Sequence, residues 1–297
     1  MINLNHSRSG RAPWWVYLIL VTLSLGGLGA YYLITSPGKA VKRSIQTIQS
    51  PKLSIDPKKK LPTNEEMEKL AKSDPITFLE ACLVRYDKEV KTGFSCTLQK
   101  QERIQGKLMK REVIKVHYKN EPHSVFFEWV ENAGRAFRVY YIEDEDDDPK
   151  NDYMHIKPSG LGGFFIVKRH VEGKEARASG RYSLNQFGLR KATERVLTFW
   201  KKAKEVNALH VEYLGKKKIP EAGNRECFVL HRTKFAEPEA DGIVDAKFFF
   251  DTETWLQVGS ILKNKDGKLI GEYYFRDIRL NPKFDPDLFS HKGLKKK

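Results

Sequence analysis

The sequence predicts an α+β fold dominated by one large antiparallel sheet with few covering helices. Short runs in which apolar and polar residues alternate fill most of the chain after residue 93, and breaks rich in Gly, Pro and Asn separate them. Two segments carry the three- and four-residue apolar spacing of a helix. Because the strand connections are short, the strands are expected to pair as antiparallel neighbours.

The two predicted helices are amphipathic. The first begins at Asp74 and Pro75, since Asp caps a helix N-terminus and Pro suits its first turn. Its apolar stripe is formed by Ile76, Leu79, Leu83 and Tyr86. The second helix covers residues 189–206, with a basic opposite face and an apolar stripe formed by Leu189, Ala192, Val196, Phe199 and Ala203.

The first strand begins at Phe94 and belongs to a hairpin that turns at Gln105 and Gly106. Further strands are predicted at residues 113–118, 124–130, 136–142, 209–214, 226–232, 244–250, 255–262 and 269–280. Turn residues at 120–122, 132–134 and 264–267 connect several of them. Alternation places Phe94, Cys96 and Leu98 inward, and Gln99, Gln101 and Arg103 outward.

The N-terminus carries an uncharged apolar segment at residues 13–35, which is long enough to cross a bilayer. Aromatic residues mark its two ends, as is typical of a membrane interface: Trp14, Trp15, Tyr31 and Tyr32. The segment is therefore predicted to be a transmembrane anchor. A signal sequence cleaved near the small residues 27–30 is the alternative.

The rest of the chain is divided by composition. Residues 1–12 form a short basic tail, residues 36–73 a Pro- and Lys-rich linker, residues 74–290 the folded domain, and residues 291–297 a second basic tail. Positive charges on the two sides of the apolar segment nearly balance. A short N-terminal tail before a large exported domain predicts a single-pass protein of the bacterial inner membrane, with its bulk in the periplasm. Secretion after cleavage is the alternative.

The charge of the chain argues against some functions. The 40% hydrophobic content supports a packed core, and the net charge of +15 is spread along the chain, without the zinc-finger, helix-turn-helix or RNP-type patterns of nucleic-acid binding. The acidic run at 143–152 lacks the ligand spacing of a calcium loop and is interpreted as solvated. The glycine-rich run at 158–165 lacks a phosphate-binding pattern and is interpreted as a bend.

The sequence offers little to a catalytic function. Cys82, Cys96 and Cys227 are isolated, so a single disulfide is compatible with the spacing, as are buried thiols. Two catalytic arrangements are compatible with the residue types: a thiol dyad of Cys96 with a histidine, and a carboxylate pair of Glu102 with Asp277. No surrounding motif supports either arrangement. Histidines occur singly and without metal-ligand spacing. We therefore predict no catalytic residue, no metal site and no cofactor.

The apolar faces of the predicted strands favour a binding function. Two helices are too few to cover about ten strands, so the uncovered apolar surface is expected to close into a barrel or to line a ligand groove. An ordinary closed core is the alternative. The predicted cavity residues are Phe94, Cys96, Leu98, Ile114, Val116, Tyr118, Val125, Phe127, Trp129, Phe248, Phe250, Tyr274 and Ile278.

Several motifs resemble known bacterial families. The runs GFSCTLQKQERIQGKL, EPHSVFFEW and NQFGLRKATERVL resemble a bacterial domain-of-unknown-function family, DUF1571. The ending YYFRDIRLNPKFDPDLF is similar to the closing strand of the periplasmic lipoprotein carriers LolA and LolB. Residues that match the carrier pattern there are Asp277, Ile278, Leu280, Asn281, Pro282 and Phe289.

The resemblance implies an incomplete antiparallel barrel, wrapped round a few helices, whose apolar cavity accepts acyl chains in the carriers. It transfers no catalytic residue. The leading hypothesis is a membrane-anchored extracytoplasmic domain that binds a lipid, a lipoprotein acyl chain or another apolar ligand. A protein-interaction or sensor domain of the cell envelope is the alternative, and a thiol or carboxylate enzyme is a third hypothesis.

Overall fold

The chain folds into one antiparallel sheet, whose strands carry the predicted alternation of apolar and polar side chains. The computed structural model describes residues 51, 53–55, 60–145, 152–160, 165–235 and 242–296. The twelve strands of the sheet are β1 Gly93–Ile104, β2 Lys107–Leu108, β3 Glu112–Lys119, β4 Ser124–Glu131, β5 Ala136–Ile142, β6 Tyr153–Pro158, β7 Val167–His170, β8 His210–Ile219, β9 Arg225–Thr233, β10 Asp245–Asp251, β11 Gln257–Lys263 and β12 Leu269–Leu280. Their spatial order is β7-β6-β5-β4-β3-β1-β12-β11-β10-β9-β8, with β2 paired to β1 outside this path. Sequence neighbours thus lie side by side within each half of the sheet. β1 pairs with β12 at the centre, and the consecutive strands β7 and β8 lie at opposite edges.

Five helices accompany the sheet in these residues: α1 Asn64–Ser73, α2 Pro75–Glu89, α3 Lys174–Ser179, α4 Leu189–Glu205 and α5 His291–Lys295. A reciprocal capping box starts α1, because the Thr63 hydroxyl accepts from the Glu66 amide (3.3 Å) and the Glu66 carboxylate accepts from the Thr63 amide (2.7 Å). As predicted, Asp74 caps α2 and Pro75 occupies its first turn.

The junction of β1 with β12 is tied to α2 by Asn281. Its amide oxygen accepts hydrogen bonds from the backbone N–H groups of Lys91 (2.7 Å) and Thr92 (3.0 Å), and its amide nitrogen donates to the Glu89 carbonyl (2.8 Å). Gly93 starts β1 with a φ of +140°, and a Cβ there would lie 2.0 Å from the Tyr118 carbonyl oxygen. Only glycine fits this crossing of the chain.

The apolar core has two main clusters. The helix cluster is formed by α1, α2 and α4 against β9–β12, and at its centre Phe78 lies edge-on to Phe228 and Phe250 with ring centroids 5.7 and 5.2 Å away. The strand cluster runs through β1, β3–β6 and β8–β12, and in it Phe94 stacks on Tyr118 at 4.7 Å. Burial of these alternating faces holds the sheet in its register.

Two segments that the sequence analysis placed outside the domain are helices packed on it. Residues 64–73, assigned to the linker, form α1, where Met67 is fully buried. Residues 291–295, assigned to a basic tail, form α5, whose Leu294 is fully buried against Phe126 and Tyr140. Both segments are rich in charged residues and contain few apolar ones, so their composition resembled that of a linker and a tail.

The α+β class and the antiparallel sheet are confirmed, with twelve strands instead of about ten. The two strands β6 and β7 were missed because they flank the acidic and glycine-rich runs. The predicted transmembrane segment at 13–35 and most of the acidic run lie outside the described residues. In the part of the chain that the structure describes, no helix combines the length and hydropathy of a membrane span.

Phe78 offers a direct test of the helix cluster. We expect Phe78→Ala to lower the free energy of unfolding by about 3–5 kcal/mol, because the lost ring leaves a cavity among three elements. The matched control is Phe165→Ala, since Phe165 is 71% exposed and its loss is expected to change stability by less than about 0.5 kcal/mol. Urea unfolding of both variants measures the difference, and equal midpoints would contradict the assignment.

Candidate ligand-binding cavity

A cavity of about 260 Å³ lies between α4 and the sheet. Its floor is formed by β1, β12, β11, β10 and the end of β9, and one face of α4 covers it. Because β1 and β9 are separated by four strand spacings in the sheet, the floor extends across roughly 19 Å. The cavity therefore crosses five neighbouring strands of the sheet.

Most of its wall is apolar. Aromatic rings dominate, and aliphatic side chains fill the spaces between them: Leu98, Phe187, Val196, Phe199, Trp200, Phe235, Ile243, Phe248, Leu262 and Phe275. Trp200 is 1% exposed and lies edge-on to Phe248 at 5.8 Å. Such a wall removes apolar surface of a ligand from water over most of its length.

The helix reaches the cavity with one stripe of side chains. Ala192, Arg195, Val196, Phe199 and Lys202 recur at three- and four-residue spacing along α4, so they share one face. This face holds one small residue, two apolar residues and two cations. The neighbouring face of α4, which includes Leu197, is buried in the helix cluster.

One end of the cavity is polar. Lys100 and Glu102 follow Leu98 on the inward face of β1, and the Lys100 Nζ lies 2.8 Å from the Glu102 carboxylate and 3.3 Å from that of Glu112. The Tyr273 hydroxyl donates to Glu102 (2.7 Å). Trp129 donates from its indole nitrogen to Glu112 (2.9 Å). These hydrogen bonds satisfy the buried charges that β1 carries.

The network keeps both partners charged. Burial alone would lower the pKa of Lys100, but the carboxylates of Glu102 and Glu112 outweigh it and raise that pKa. Burial would likewise raise the pKa of Glu102, yet Lys100 and the Tyr273 hydroxyl hold it below its usual range. Burial also raises the pKa of Tyr273 well above its ordinary value, so Tyr273 stays a neutral donor.

The thirteen residues predicted to bind a ligand have different positions. Leu98 and Phe248 line the cavity. Phe250 is buried in the helix cluster. The others belong to the strand cluster, either buried in it or packed against it: Phe94, Cys96, Ile114, Val116, Tyr118, Val125, Phe127, Trp129, Tyr274 and Ile278. Phe94, Cys96 and Leu98 are buried as expected, and Gln99, Gln101 and Arg103 are half-buried.

Several cavity residues were not predicted from sequence patterns. Continuing the alternation of β1 beyond Leu98 would have placed Lys100 and Glu102 on the same side, but their charge suggested the outside. Phe199 was recognised in the apolar stripe of α4 and was interpreted as core. Tyr182 and Phe187 lie in a connection without regular spacing, so no sequence pattern pointed to them.

The structure separates the two carboxylates of the Glu102–Asp277 pair. Glu102 pairs with Gly271 in the β1–β12 register, and Asp277 lies six residues further along the strand, which separates the two carboxylates by roughly 20 Å. Asp277 has an exposed side chain beside Arg276. Among the residues described, no group of three His, Cys, Asp or Glu side chains has the arrangement of a metal site.

The three cysteines are free and buried, and none forms a disulfide. Burial raises the pKa of Cys227 to about 12, and it raises the pKa values of Cys82 and Cys96 further. A thiolate is the reactive form of cysteine. At neutral pH these three thiols are therefore protonated and shielded.

We expect all three thiols to resist a disulfide-exchange reagent at pH 8 in the folded protein, because the reagent requires an accessible thiolate. Absorbance of the released thiol reports the reaction. Addition of guanidinium chloride serves as the control and should release three equivalents per chain. Rapid reaction of Cys96 in the folded protein would show that this thiol is accessible and would revive the thiol hypothesis.

The Lys100 network predicts a pH-dependent stability. Lys100→Met leaves Glu102 and Glu112 buried without their cation and is expected to cost about 3–5 kcal/mol at pH 7. The lowered pKa of Glu102 stabilises the fold above the unfolded value of about 4.3, and this contribution disappears as the pH falls through the folded value. The difference between the wild type and Lys100→Met should therefore shrink below about pH 4.

Urea titrations from pH 3 to pH 8 measure this dependence. Lys115→Met is the matched control, because Lys115 is exposed on β3 and its loss is expected to change stability by less than about 0.5 kcal/mol. Equal destabilisation by the two substitutions at pH 7 would contradict a buried ion pair.

Solved structures with a similar arrangement are distant in sequence. MucB is 13% identical, with coverage of 73% of this chain and 63% of MucB, and its TM-score is 0.43. A putative outer membrane lipoprotein-sorting protein domain from Vibrio parahaemolyticus is 11% identical over 73% of this chain and 98% of that domain, with a TM-score of 0.34. A LolA superfamily protein from Nitrosomonas europaea is 8% identical over 72% of this chain and 98% of that protein, with a TM-score of 0.30.

Comparison with curated proteins gave no match. A family model described as a protein of unknown function, DUF1571, matches residues 91–295. The match begins just before β1 and ends in α5, so it covers the whole sheet and the cavity. It spans well over half of the 297 residues, and the chain therefore belongs to the DUF1571 family.

Proposed function

We propose that this chain is a lipid-binding domain of the cell envelope, which holds an acyl chain or a similar linear apolar ligand between α4 and the sheet. The sheet then acts as an incomplete barrel with α4 inside it. In the same proposal, residues 13–35 anchor the protein in the bacterial inner membrane and the folded domain lies in the periplasm. Secretion after cleavage at residues 27–30 is the alternative location.

The apolar cavity beneath α4 carries this proposal. Aromatic and aliphatic side chains line about 260 Å³ beneath α4, whereas an apolar cavity of about 150 Å³ is already large enough to bind benzene. Each buried methylene contributes about 0.8 kcal/mol. An acyl chain that buries several methylenes in the cavity therefore gains enough free energy to bind without any specific polar contact.

A binding role fits the chemistry of the polar end better than a catalytic role. Lys100 and Glu102 neutralise each other and have pKa values shifted away from neutrality. A general acid or base works best with a pKa near the operating pH. The buried thiols are protonated for the reason given above. We therefore propose that the domain binds its ligand without transforming it.

Native mass spectrometry of the full chain purified from bacterial membranes tests the proposal directly. We expect a co-purifying lipid whose mass disappears after delipidation and returns on incubation with a lipid extract. A polypeptide bound in place of any lipid would favour the alternative, a protein-interaction or sensor domain. A chain that carries neither, and takes up no lipid from the extract, would refute lipid binding.

A bulky side chain placed in the cavity should weaken lipid binding. Ala192 lies on the cavity face of α4, and Ala192→Phe is expected to weaken binding about tenfold or more because its ring occupies the space of the ligand. Ala192→Ser keeps the space and should bind like the wild type. Lys204→Phe adds the same ring on the exposed side of α4 and controls for a general effect. The bound-lipid fraction in native mass spectra measures all three, and full uptake by Ala192→Phe would place the ligand elsewhere.

A further inference from the structure

The charges that line the cavity are unequal in sign. Among the described residues that line it, the cationic ones are Lys100, Arg181, Arg195, Lys202 and Arg232, and Glu102 is the one that carries a carboxylate. Glu102 is already engaged by Lys100 at 2.8 Å. Arg181 and Arg232 each have an interaction partner. Arg195 and Lys202 place two further cations beside the apolar wall.

Arg195 is held in place at the edge of this cavity. Its guanidinium lies over the ring of Tyr182, 4.2 Å from the ring centroid, and its Nη1 donates to the Gln186 carbonyl (3.3 Å). Stacking on an aromatic ring fixes the plane of a guanidinium and leaves its edge available for hydrogen bonding. Tyr182 and Gln186 line the cavity too, so the arginine is oriented by the cavity wall itself.

No carboxylate neutralises this arginine in the described residues: none lies within ion-pair distance of its guanidinium. Burial is the main cause of the lowered pKa of the nearby Lys191, and the positive charge of Arg195 contributes to it. Lys202 follows two turns later on the same face of α4, roughly 10 Å along the helix axis. Arg195 and Lys202 thus form a cationic edge above the apolar wall that contains Phe199.

We propose that Arg195 binds the oxyanion head of an amphiphile whose apolar chain occupies the cavity, while Lys202, two turns along α4, adds positive charge to the same edge. The head is a carboxylate or a phosphate, since both match the planar donor pair of a guanidinium. This inference rests on the proposed lipid-binding function and narrows its ligand to anionic amphiphiles. The cation–π contact with Tyr182 then pre-orients the arginine before the ligand arrives.

The contribution of the head group can be measured with three ligands that carry similar alkyl chains and different heads. These ligands are decanoate, decyl phosphate and decanol. We expect calorimetric titration of the full chain in phosphatidylcholine nanodiscs, with empty nanodiscs as the blank, to show that both anions bind about tenfold or more tighter than decanol. Added salt should reduce this preference, because the cationic edge is partly exposed. The tighter of the two anions identifies the head as carboxylate or phosphate.

Substitution of the arginine should remove the preference for anions without removing binding. In Arg195→Gln, the two anions are expected to lose about tenfold or more in affinity while decanol keeps its own. Arg195→Lys should retain part of the preference because it keeps the charge. Lys204→Gln is the matched control, since it removes an exposed charge from α4 away from the cavity, and it should leave all three affinities unchanged.

The outcomes distinguish this inference from the function on which it rests. Equal binding of decanol and the anions to the wild type would overturn the anionic head and leave lipid binding intact. Binding of none of the three would instead count against the cavity as a lipid site. Inorganic phosphate that binds as tightly as decyl phosphate would show a site for free phosphate, which contradicts the amphiphile. A loss of decanol binding in Arg195→Gln would assign Arg195 a merely structural role.

Discussion

The pairing of the first long strand with the last one is the constraint on which the rest of the structure depends. β1 and β12 are twelve residues long, and they join two halves of the sheet that are otherwise built from neighbours in sequence. Asn281 holds this junction by bonding three backbone groups between Glu89 and Thr92. This contact spans almost two hundred residues of chain, so its closure requires most of the sheet to be in place.

The junction also positions the cavity. Leu98 and Lys100 on β1 lie opposite Phe275 and Tyr273 on β12, and all four side chains line the space beneath α4. The helix cluster packs α4 against α2 and the more distant strands, where Leu197 and Trp200 are buried. The helix is therefore supported on one side, and its other side, from Ala192 to Lys202, stands over the sheet. The cavity results from this one-sided support.

Sequence patterns predicted the helices and strands better than they predicted the cavity between α4 and the sheet. Alternation and turn residues located most strands, and the Asp74–Pro75 cap located α2, because these are local effects. The same patterns assigned Phe94, Ile114 and Val125 to a ligand, whereas they pack in the strand cluster. Periodicity identifies an apolar face and cannot tell whether its partner is a side chain or a ligand. The distance between α4 and the floor depends on packing around Trp200, which no local pattern encodes.

The polarity of β1 connects its sequence to the proposed ligand. One face of this strand changes from Phe94, Cys96 and Leu98 to Lys100 and Glu102 without a break in alternation. At the point of change, Tyr273 donates a hydrogen bond to Glu102, and Glu112 forms an ion pair with Lys100. Arg195 and Lys202, the cavity-facing cations of α4, have no such carboxylate among the described residues, whereas Lys201 on the helix pairs with Glu80. The protein thus satisfies its own charges on the sheet side of the cavity and leaves positive charge on the helix side. An amphiphile that enters with its chain along the aromatic wall and its anionic head toward α4 matches both sides at once.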